Sequence, residues 1–350
     1  MYFRLSRMLS IVFVLALVAA FSLPLGAASP ALAQDSLLDQ VRARGNVVCG
    51  INGTLAGFGF VNPDGTVSGF DADFCRALAA AIFGDPDAVE YVSVSAADRF
   101  PTIQAGEIDV LMRNTTFTFE RDTQQGAEFG PVTYYDGQTF MAREADGIAT
   151  VADLADTAVC VIAGTTTEAN LSDILATNNI SAETLTFESI DQVIEAFVQE
   201  RCDAVTSDRS QLSSRVAQAG EQSAGWVLFA DDFSREPLAP AWRAGDAQWG
   251  DVVRWVVNAT FVAEAYGITS ENIDDMIADA SLPAEAKRLL GLEGELHTYL
   301  GLDAEWGQNV IRAVGNYGEI FDRNLGSLGL ERVANALYTD GGLIYPLPYR

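Results

Sequence analysis

Gly106–Asp122, which reads GEIDVLMRNTTFTFERD, sets the expectations for this 350-residue chain. It begins as an apolar strand, Ile108–Met112, and continues into the polar run Arg113–Thr116, whose side chains form hydrogen bonds readily. Arg121 follows a few residues later. Such an arrangement can bind a carboxylate, because backbone N–H groups hold one oxygen while the arginine binds the group bidentately. The alternative is an ordinary strand, a polar turn and a surface arginine.

A second copy of the pattern favours the binding site. Asp191–Asp208, DQVIEAFVQERCDAVTSD, also reads as an amphipathic helix, a strand and a polar strand end. Aligning the two copies places Asn114 on Asp208, so that two similar halves present polar groups at matching positions. A zwitterion suits this pair of sites, with its carboxylate at Arg121 and its ammonium at Asp208.

Residues 1–33 have the pattern of a secretory signal. Arg4 and Arg7 are basic, the interrupted stretch Leu9–Leu25 is apolar, and the A-x-A site Ala31–Ala33 ends the segment. We expect cleavage after this site and export of the mature protein. A membrane anchor is the alternative, but the apolar run is short and broken for a membrane span.

The composition argues against several classes of function. The formal net charge is −27, and so acidic a protein does not neutralise phosphate backbones, so we expect no nucleic-acid partner. The sequence contains no C-x-x-C, G-x-S-x-G, H-E-x-x-H or P-loop motif, and we therefore expect no metal or cofactor. Its length fits two domains, each with its own core.

Four cysteines in an exported chain predict disulfides. Among the three connectivities, Cys49–Cys75 with Cys160–Cys202 is preferred, because each pair then stays within one half of the repeat. In the chain-entropy model, loops of these lengths stabilise the fold by roughly 3–4 kcal/mol each. Four buried free thiols are the alternative.

Strands and helices alternate along the mature chain up to Asp208, which predicts an α/β fold. Strand Val159–Ile162 runs directly into Gly164–Glu168, where Thr165 and Glu168 have the spacing of a capping box. A helix that begins at a strand end offers free N–H groups to an anion. An ordinary capped helix is the alternative.

The last third of the chain shows no recognisable chemistry, and we expect it to pack on the first half as a helical appendage. The helices expected there are Asp246–Tyr266, Ser270–Ala278, Pro283–Leu290, Asp303–Arg323 and Leu330–Tyr338.

Short motifs along the whole mature chain carry a family resemblance. They are Gly69–Phe74, Arg113–Thr116, Glu120–Asp122, Tyr134–Gln138, Gly164–Glu168, Arg201–Asp203 and Val314–Glu319. Together they resemble the motifs of periplasmic amino-acid-binding proteins of ABC transporters, which form solute-binding protein family 3. The chain looks most similar to the general L-amino-acid binders and the glutamate/glutamine/aspartate/asparagine binders.

This resemblance implies a two-lobe α/β fold of the type II periplasmic-binding-protein class, with two crossing strands and a C-terminal helical extension. Lobe 1 would comprise residues 34–141 and 239–350, and lobe 2 residues 142–238. The resemblance further implies a monomer in the periplasm that closes over a free L-amino acid and delivers it to the membrane permease subunits of an ABC transporter.

The resemblance also implies roles for single residues. Arg121 matches the arginine that binds the α-carboxylate, and Thr116 and Thr166 match residues whose backbone N–H groups assist it. Asp208 matches the carboxylate that binds the α-ammonium, with help from the carbonyl group of Asn114.

Arg99 falls where glutamate and aspartate binders place an arginine that contacts the ligand side chain. Arg113 directly precedes the binding loop. Two cations beside the cleft of so acidic a chain favour acidic and amide side chains as ligands. The alternative is that both arginines form structural salt bridges with carboxylates such as Asp98 or Glu107.

Two other functions share this fold: a sensor module that presents its ligand to a membrane receptor, and an enzyme of the dehydratase or lyase type. Asp208 could serve as a general base. However, the single histidine, His297, lies in the C-terminal appendage, and no catalytic motif accompanies it. We therefore expect a binding protein without catalysis.

Overall fold

The computed structural model describes residues 36–350; the expected signal segment and its cleavage site lie outside the described residues. Within that range no helix combines the length and apolar character that crossing a membrane requires. The strands, numbered along the chain, are β1 Val47–Ile51, β2 Thr54–Leu55, β3 Gly59–Val61, β4 Val67–Ser68, β5 Val89–Ser93, β6 Val110–Leu111, β7 Ala127–Phe129, β8 Tyr134–Asp136, β9 Gln138–Arg143, β10 Ala158–Ile162, β11 Glu183–Phe187, β12 Ala204–Asp208, β13 Trp226–Leu228, β14 Glu236–Leu238 and β15 Ala241–Arg243.

The helices of the described range lie between and after these strands. They are α1 Leu37–Arg44, α2 Phe70–Phe83, α3 Arg99–Ala105, α4 Phe119–Gln124, α5 Thr166–Asn178, α6 Ile190–Val198, α7 Arg209–Ala219, α8 Ala247–Ala265, α9 Ile273–Ala278, α10 Ala284–Leu289, α11 His297–Leu300, α12 Trp306–Val314 and α13 Tyr317–Asn324.

Two five-stranded sheets define two lobes. The first lobe is built on the order β5–β1–β6–β15–β7 and the second on β11–β10–β12–β9–β13. In each sheet the earliest βαβ strands are parallel: β1 pairs with β5 and β6, and β10 pairs with β11 and β12. This repetition agrees with the two matching copies in the sequence. It also brings the carboxyl ends of β6 and β12 to corresponding edges, where ligands bind in open α/β sheets.

Helix α6 shows why the repeated segment folds as it does. Ser189 caps its first turn by accepting from the N–H of Gln192. The buried residues Ile190, Val193 and Phe197 recur at helical spacing, so one face packs on the second sheet. The strand that follows, β12, is buried at every position, as expected for a strand covered on both faces.

The lobes are connected by a two-stranded antiparallel sheet, β8 with β14, which we call the hinge pair. The expected boundary between residues 141 and 142 falls inside β9, and all of β9 belongs to the second sheet. The first lobe therefore ends earlier than expected, at the hinge pair. The chain crosses back at β14, and β15 already lies in the first sheet.

The C-terminal region packs against the first lobe, where α12 lies on α2 and α8. The helix expected over Asp303–Arg323 is divided into α12 and α13. Gly315 separates them with φ +77°, and Asn316 starts the second helix with a capping box to Glu319. The prediction of a helix over Leu330–Tyr338 is also wrong. Only 3-10 turns form there, at Val333–Asn335 and Tyr338–Asp340.

Each lobe contains one disulfide. Cys49 of β1 is joined to Cys75 of α2, with 6.1 Å between the Cα atoms. Cys160 of β10 is joined to Cys202, just before β12, with 5.8 Å between the Cα atoms. This is the pairing preferred from the sequence, and each bond fastens elements of a single half.

Candidate functional site

A polar cavity lies between the lobes, at the carboxyl ends of β6 and β12. All six predicted ligand-binding residues line it, three of them from β6 and the loop and helix after it. The lining residues are Ala96, Arg99, Arg113, Asn114, Thr116, Arg121, Ile162, Thr165, Thr166, Thr167, Ser207, Asp208 and Gln211.

Arg121 is fixed by the short helix α4. The hydroxyl group of Thr118 caps this helix by accepting from the N–H of Arg121 at 3.2 Å. The guanidinium of Arg121 donates to the carbonyl of Thr116 at 2.8 Å, which directs the group back over the strand end. Burial lowers the pKa of Arg121, and the carboxylate of Asp208 is the main opposing influence. This arginine is therefore positioned before any ligand arrives.

Arg99 and Arg113 are held by single backbone contacts. The Nε of Arg99 donates to the carbonyl of Ala96 at 2.8 Å, and the Nε of Arg113 donates to the carbonyl of Val94 at 3.0 Å. Burial is the main cause that lowers the pKa of Arg99 well below its usual range and that of Arg113 to about 10. The charge of Arg121 contributes to the lower pKa in both cases, and that of Arg113 also contributes for Arg99.

Within residues 36–350, none of these three arginines forms an ion pair with a carboxylate. Their exposed fractions are only 3% for Arg99 and 8% each for Arg113 and Arg121. The structural salt bridges considered for Asp98 and Glu107 do not form, and Asp98 instead accepts from the hydroxyl group of Ser95 at 2.6 Å. Buried cations without partners are costly, so the site is suited to an anionic ligand.

Asp208 is the opposing group on the second lobe. It ends β12 and directly precedes α7, and its exposed fraction is 6%. Its carboxylate has no hydrogen-bond donor within the described range. Burial, followed by the nearby carboxylates of Asp136 and Glu236, raises the pKa of Asp208 well above its usual range, while Arg121 and Arg99 oppose this. A ligand ammonium would supply the missing counter-charge.

Asn114 presents its backbone beside the arginines. Its side-chain oxygen accepts from the amide of Asn52 at 3.0 Å, which holds the strand end against the first βα loop. Its N–H donates to Asp71, a buried carboxyl whose pKa is raised to about 7, chiefly by desolvation and despite Arg113. Asn114 lines the same cavity as the three arginines and Asp208.

Thr166 begins helix α5 at the edge of the cavity. Thr165 is the N-cap and accepts from the N–H of Glu168 at 3.2 Å. The reciprocal bond of the expected capping box goes one residue earlier, because the carboxylate of Glu168 accepts from the N–H of Gly164. The first N–H groups of a helix have no partner within the helix, and they favour a carboxylate at this end.

Glu236 of the hinge pair, which sequence reasoning missed, contacts two of the residues that line the cavity. Its exposed fraction is 2%, and its carboxylate accepts from the hydroxyl groups of Thr116 (2.6 Å) and Thr166 (2.9 Å). It also accepts from the amide of Asn170 at 2.9 Å and from the hydroxyl of Ser234 at 2.5 Å. Glu236 thus fastens both lobes to the hinge.

A metal site has no support among residues 36–350, where no group of three or more His, Cys, Asp or Glu side chains could hold an ion. His297 lies in the short helix α11, outside the cavity. The cavity combines fixed cationic donors, helix N–H groups and one buried carboxylate. That combination suits a ligand with two or more carboxyl or amide oxygens and one ammonium.

Comparison with known proteins gives consistent matches. Residues 47–253 match the model of the bacterial extracellular solute-binding proteins, family 3. The chain is 44% identical to the general L-amino acid-binding periplasmic protein AapJ of Rhizobium johnstonii, covering 96% of this chain and 98% of that protein. It is 42% identical to the glutamate/glutamine/aspartate/asparagine-binding protein BztA of Rhodobacter capsulatus, covering 94% and 98%.

A solved structure extends this comparison to the fold. It is a periplasmic binding protein of an ABC transporter from Brucella ovis with glutathione bound. The TM-score is 0.87 at 44% identity, covering 91% of this chain and all of that one.

Proposed function

Because this chain belongs to family 3 of the bacterial extracellular solute-binding proteins, we propose that it is a periplasmic receptor for free L-amino acids that delivers them to the permease of an ABC transporter. One observation carries the assignment of the site: three buried guanidinium groups, none of which forms a salt bridge within residues 36–350, line the same cavity as the buried carboxylate of Asp208. We further propose that the protein acts as a monomer, without catalysis, after its signal peptide is removed.

The two ends of the amino acid bind to opposite lobes. The α-carboxylate pairs with Arg121 and accepts from the backbone N–H groups of Thr116 and Thr166. The α-ammonium pairs with Asp208 and donates to the carbonyl of Asn114. Each charge of the zwitterion thereby neutralises a buried charge of the protein, which recovers much of the cost of desolvating both.

Arg99 and Arg113 then select the side chain. After Arg121 has paired with the α-carboxylate, two buried cations remain beside the first lobe. Acidic side chains supply a charged partner and amide side chains supply an acceptor oxygen, whereas lysine and arginine would add like charge. The relative that binds glutamate, glutamine, aspartate and asparagine supports this preference. Glutathione, the ligand of the Brucella protein, also carries an α-ammonium and two carboxylates.

Closure of the lobes couples binding to delivery. In the structure the lobes touch beside the cavity, where Ser214 donates to the carbonyl of Ala56 at 2.8 Å and Arg215 donates to the hydroxyl of Thr54 at 3.1 Å. A ligand that bridges Arg121 and Asp208 favours this arrangement over an open one, because only the closed form offers both partners. We propose that the permease recognises the closed form.

Glutamate and two analogues that each lack one of its charged groups test the two-ended site. Glutamate has both ends, glutarate lacks the α-ammonium, and 4-aminobutanoate lacks the α-carboxylate. Calorimetry on the purified protein should show binding of glutamate, with both analogues weaker by at least about 30-fold, since each leaves a buried charge unpaired. If glutarate or 4-aminobutanoate bound as tightly as glutamate, the proposed roles of Asp208 or Arg121 would be wrong.

A further inference from the structure

Helix α7 directs a second polar side chain into the cavity besides Asp208. Gln211 lies in the first turn of this helix, lines the cavity, and has an exposed fraction of 3%. Its side-chain oxygen accepts from the hydroxyl of Ser207 at 2.5 Å, and Ser207 is itself buried. In this arrangement the amide oxygen contacts Ser207 and the amide nitrogen does not.

The amide nitrogen of Gln211 is left without a partner anywhere in the part of the chain that the structure describes. Most polar groups of a largely buried side chain have a partner, so an unpaired donor on a cavity wall is available to an acceptor of a bound ligand. An N–H group cannot serve the ligand ammonium. It suits a carboxylate or amide oxygen.

We infer that Gln211 is a specificity-determining residue, whose amide N–H donates to the side-chain oxygen of a bound glutamate or glutamine. The inference rests on the proposed function. Gln211 belongs to the second lobe and Arg99 to the first, and both line the same cavity. The ligand side chain is therefore held from both lobes, and its contribution to affinity is complete only when the cleft is closed.

Two substitutions at one position test this role against three ligands. Gln211→Met keeps the size of the side chain and removes the donor, whereas Gln211→Glu replaces the donor with an anion. Alanine, which has no side-chain oxygen, reports on the α-carboxylate and α-ammonium sites alone. Competition calorimetry with glutamate, glutamine and alanine compares the three affinities in each variant.

Gln211→Met should weaken glutamate and glutamine by about tenfold or more, the effect expected for a lost hydrogen bond to a charged or polar group, and leave alanine within about twofold. Gln211→Glu should weaken glutamate far more than glutamine, because two carboxylates would then meet in a buried site. The matched control is Gln222→Met, in the exposed 3-10 turn Gly220–Ser223 that follows this helix, which should change none of the three affinities.

Equal losses for all three ligands in both Gln211 variants would assign the residue a purely structural role and overturn the inference. Unchanged affinities would overturn it as well. Failure of the unsubstituted protein to bind any of the three amino acids would instead contradict the proposed function, so the two failures can be distinguished.

Discussion

The hydroxyl groups of Thr116 and Thr166 lie 3.4 Å apart across the cleft, although one follows a strand of the first lobe and the other begins a helix of the second. Both also donate to the carboxylate of Glu236 in the hinge pair. The same two residues present backbone N–H groups at the proposed carboxylate site. The contact between Thr116 and Thr166, which joins the two lobes, therefore lies beside the proposed site for the ligand carboxylate.

Arg121→Ala should abolish measurable binding of every amino acid while the protein stays folded. Every ligand shares the α-carboxylate, and loss of a buried charge-assisted pair should cost at least about 2–5 kcal/mol of binding free energy. Titration calorimetry measures the affinity, and circular dichroism checks the fold. The control is Arg254→Ala, since Arg254 pairs only with Asp251 on the surface of α8. Wild-type affinity in the Arg121 variant would remove this residue from the site.

Asp208→Ala should be nearly as damaging, because a ligand ammonium would be desolvated without a counter-charge. Asp208→Asn keeps an acceptor oxygen in the same place and should retain part of the affinity. The order wild type, then Asn, then Ala is therefore expected for glutamate binding in calorimetry. If the Asn and Ala variants bound glutamate with equal affinity, the acceptor oxygen at position 208 would not contribute to binding. That result would contradict the proposed contact with the ligand ammonium.

Arg99→Met should lower the affinity for glutamate far more than for glutamine or alanine, because only the side-chain carboxylate loses a charged partner. Competition binding with the three ligands gives the ratios directly. If the variant lost affinity for all three ligands to the same extent, Arg99 would have a structural role in α3. The protein would then be a binder of broad specificity.

Asn335→Ala tests how the C-terminal region stabilises the hinge. Asn335 is buried, and its amide both accepts from the N–H of Tyr135 at 2.6 Å and donates to the carbonyl of Tyr135 at 3.1 Å. Losing partners for these groups of β8 should lower the free energy of unfolding by about 1–3 kcal/mol. Asn178→Ala, at the exposed end of α5, should change it by less than about 0.5 kcal/mol in the same urea titration. Similar losses in both variants would contradict the bracing role.

Much of the architecture could be predicted because it depends on local pattern. The apolar strand Val159–Ile162 is followed by a Gly-Thr turn and an acidic residue, so its helix start was visible in the sequence. The two copies around Asn114 and Asp208 could be aligned because the halves repeat the same helix and strand. The same alignment led to the prediction that Arg121 and Asp208 bind the two ends of a zwitterion.

The remaining features depend on long-range packing. Glu236 contacts the cavity lining because the hinge pair brings it to Thr116 and Thr166, which are distant in sequence. Gln211 was not singled out in the sequence, because its burial and its bond to Ser207 depend on the fold. In the C-terminal region, the helical pattern over 303–323 concealed the break, although Gly315 and Asn316 supply an end and a capping residue that could have indicated it.

A calorimetric screen of the twenty amino acids against the purified mature protein tests the central claim most directly. Three buried arginines opposite one buried aspartate predict that glutamate, aspartate, glutamine and asparagine bind best, aliphatic amino acids bind more weakly, and lysine and arginine bind worst. If lysine bound as tightly as glutamate, or if no amino acid bound at all, the proposed account of this cleft would be contradicted.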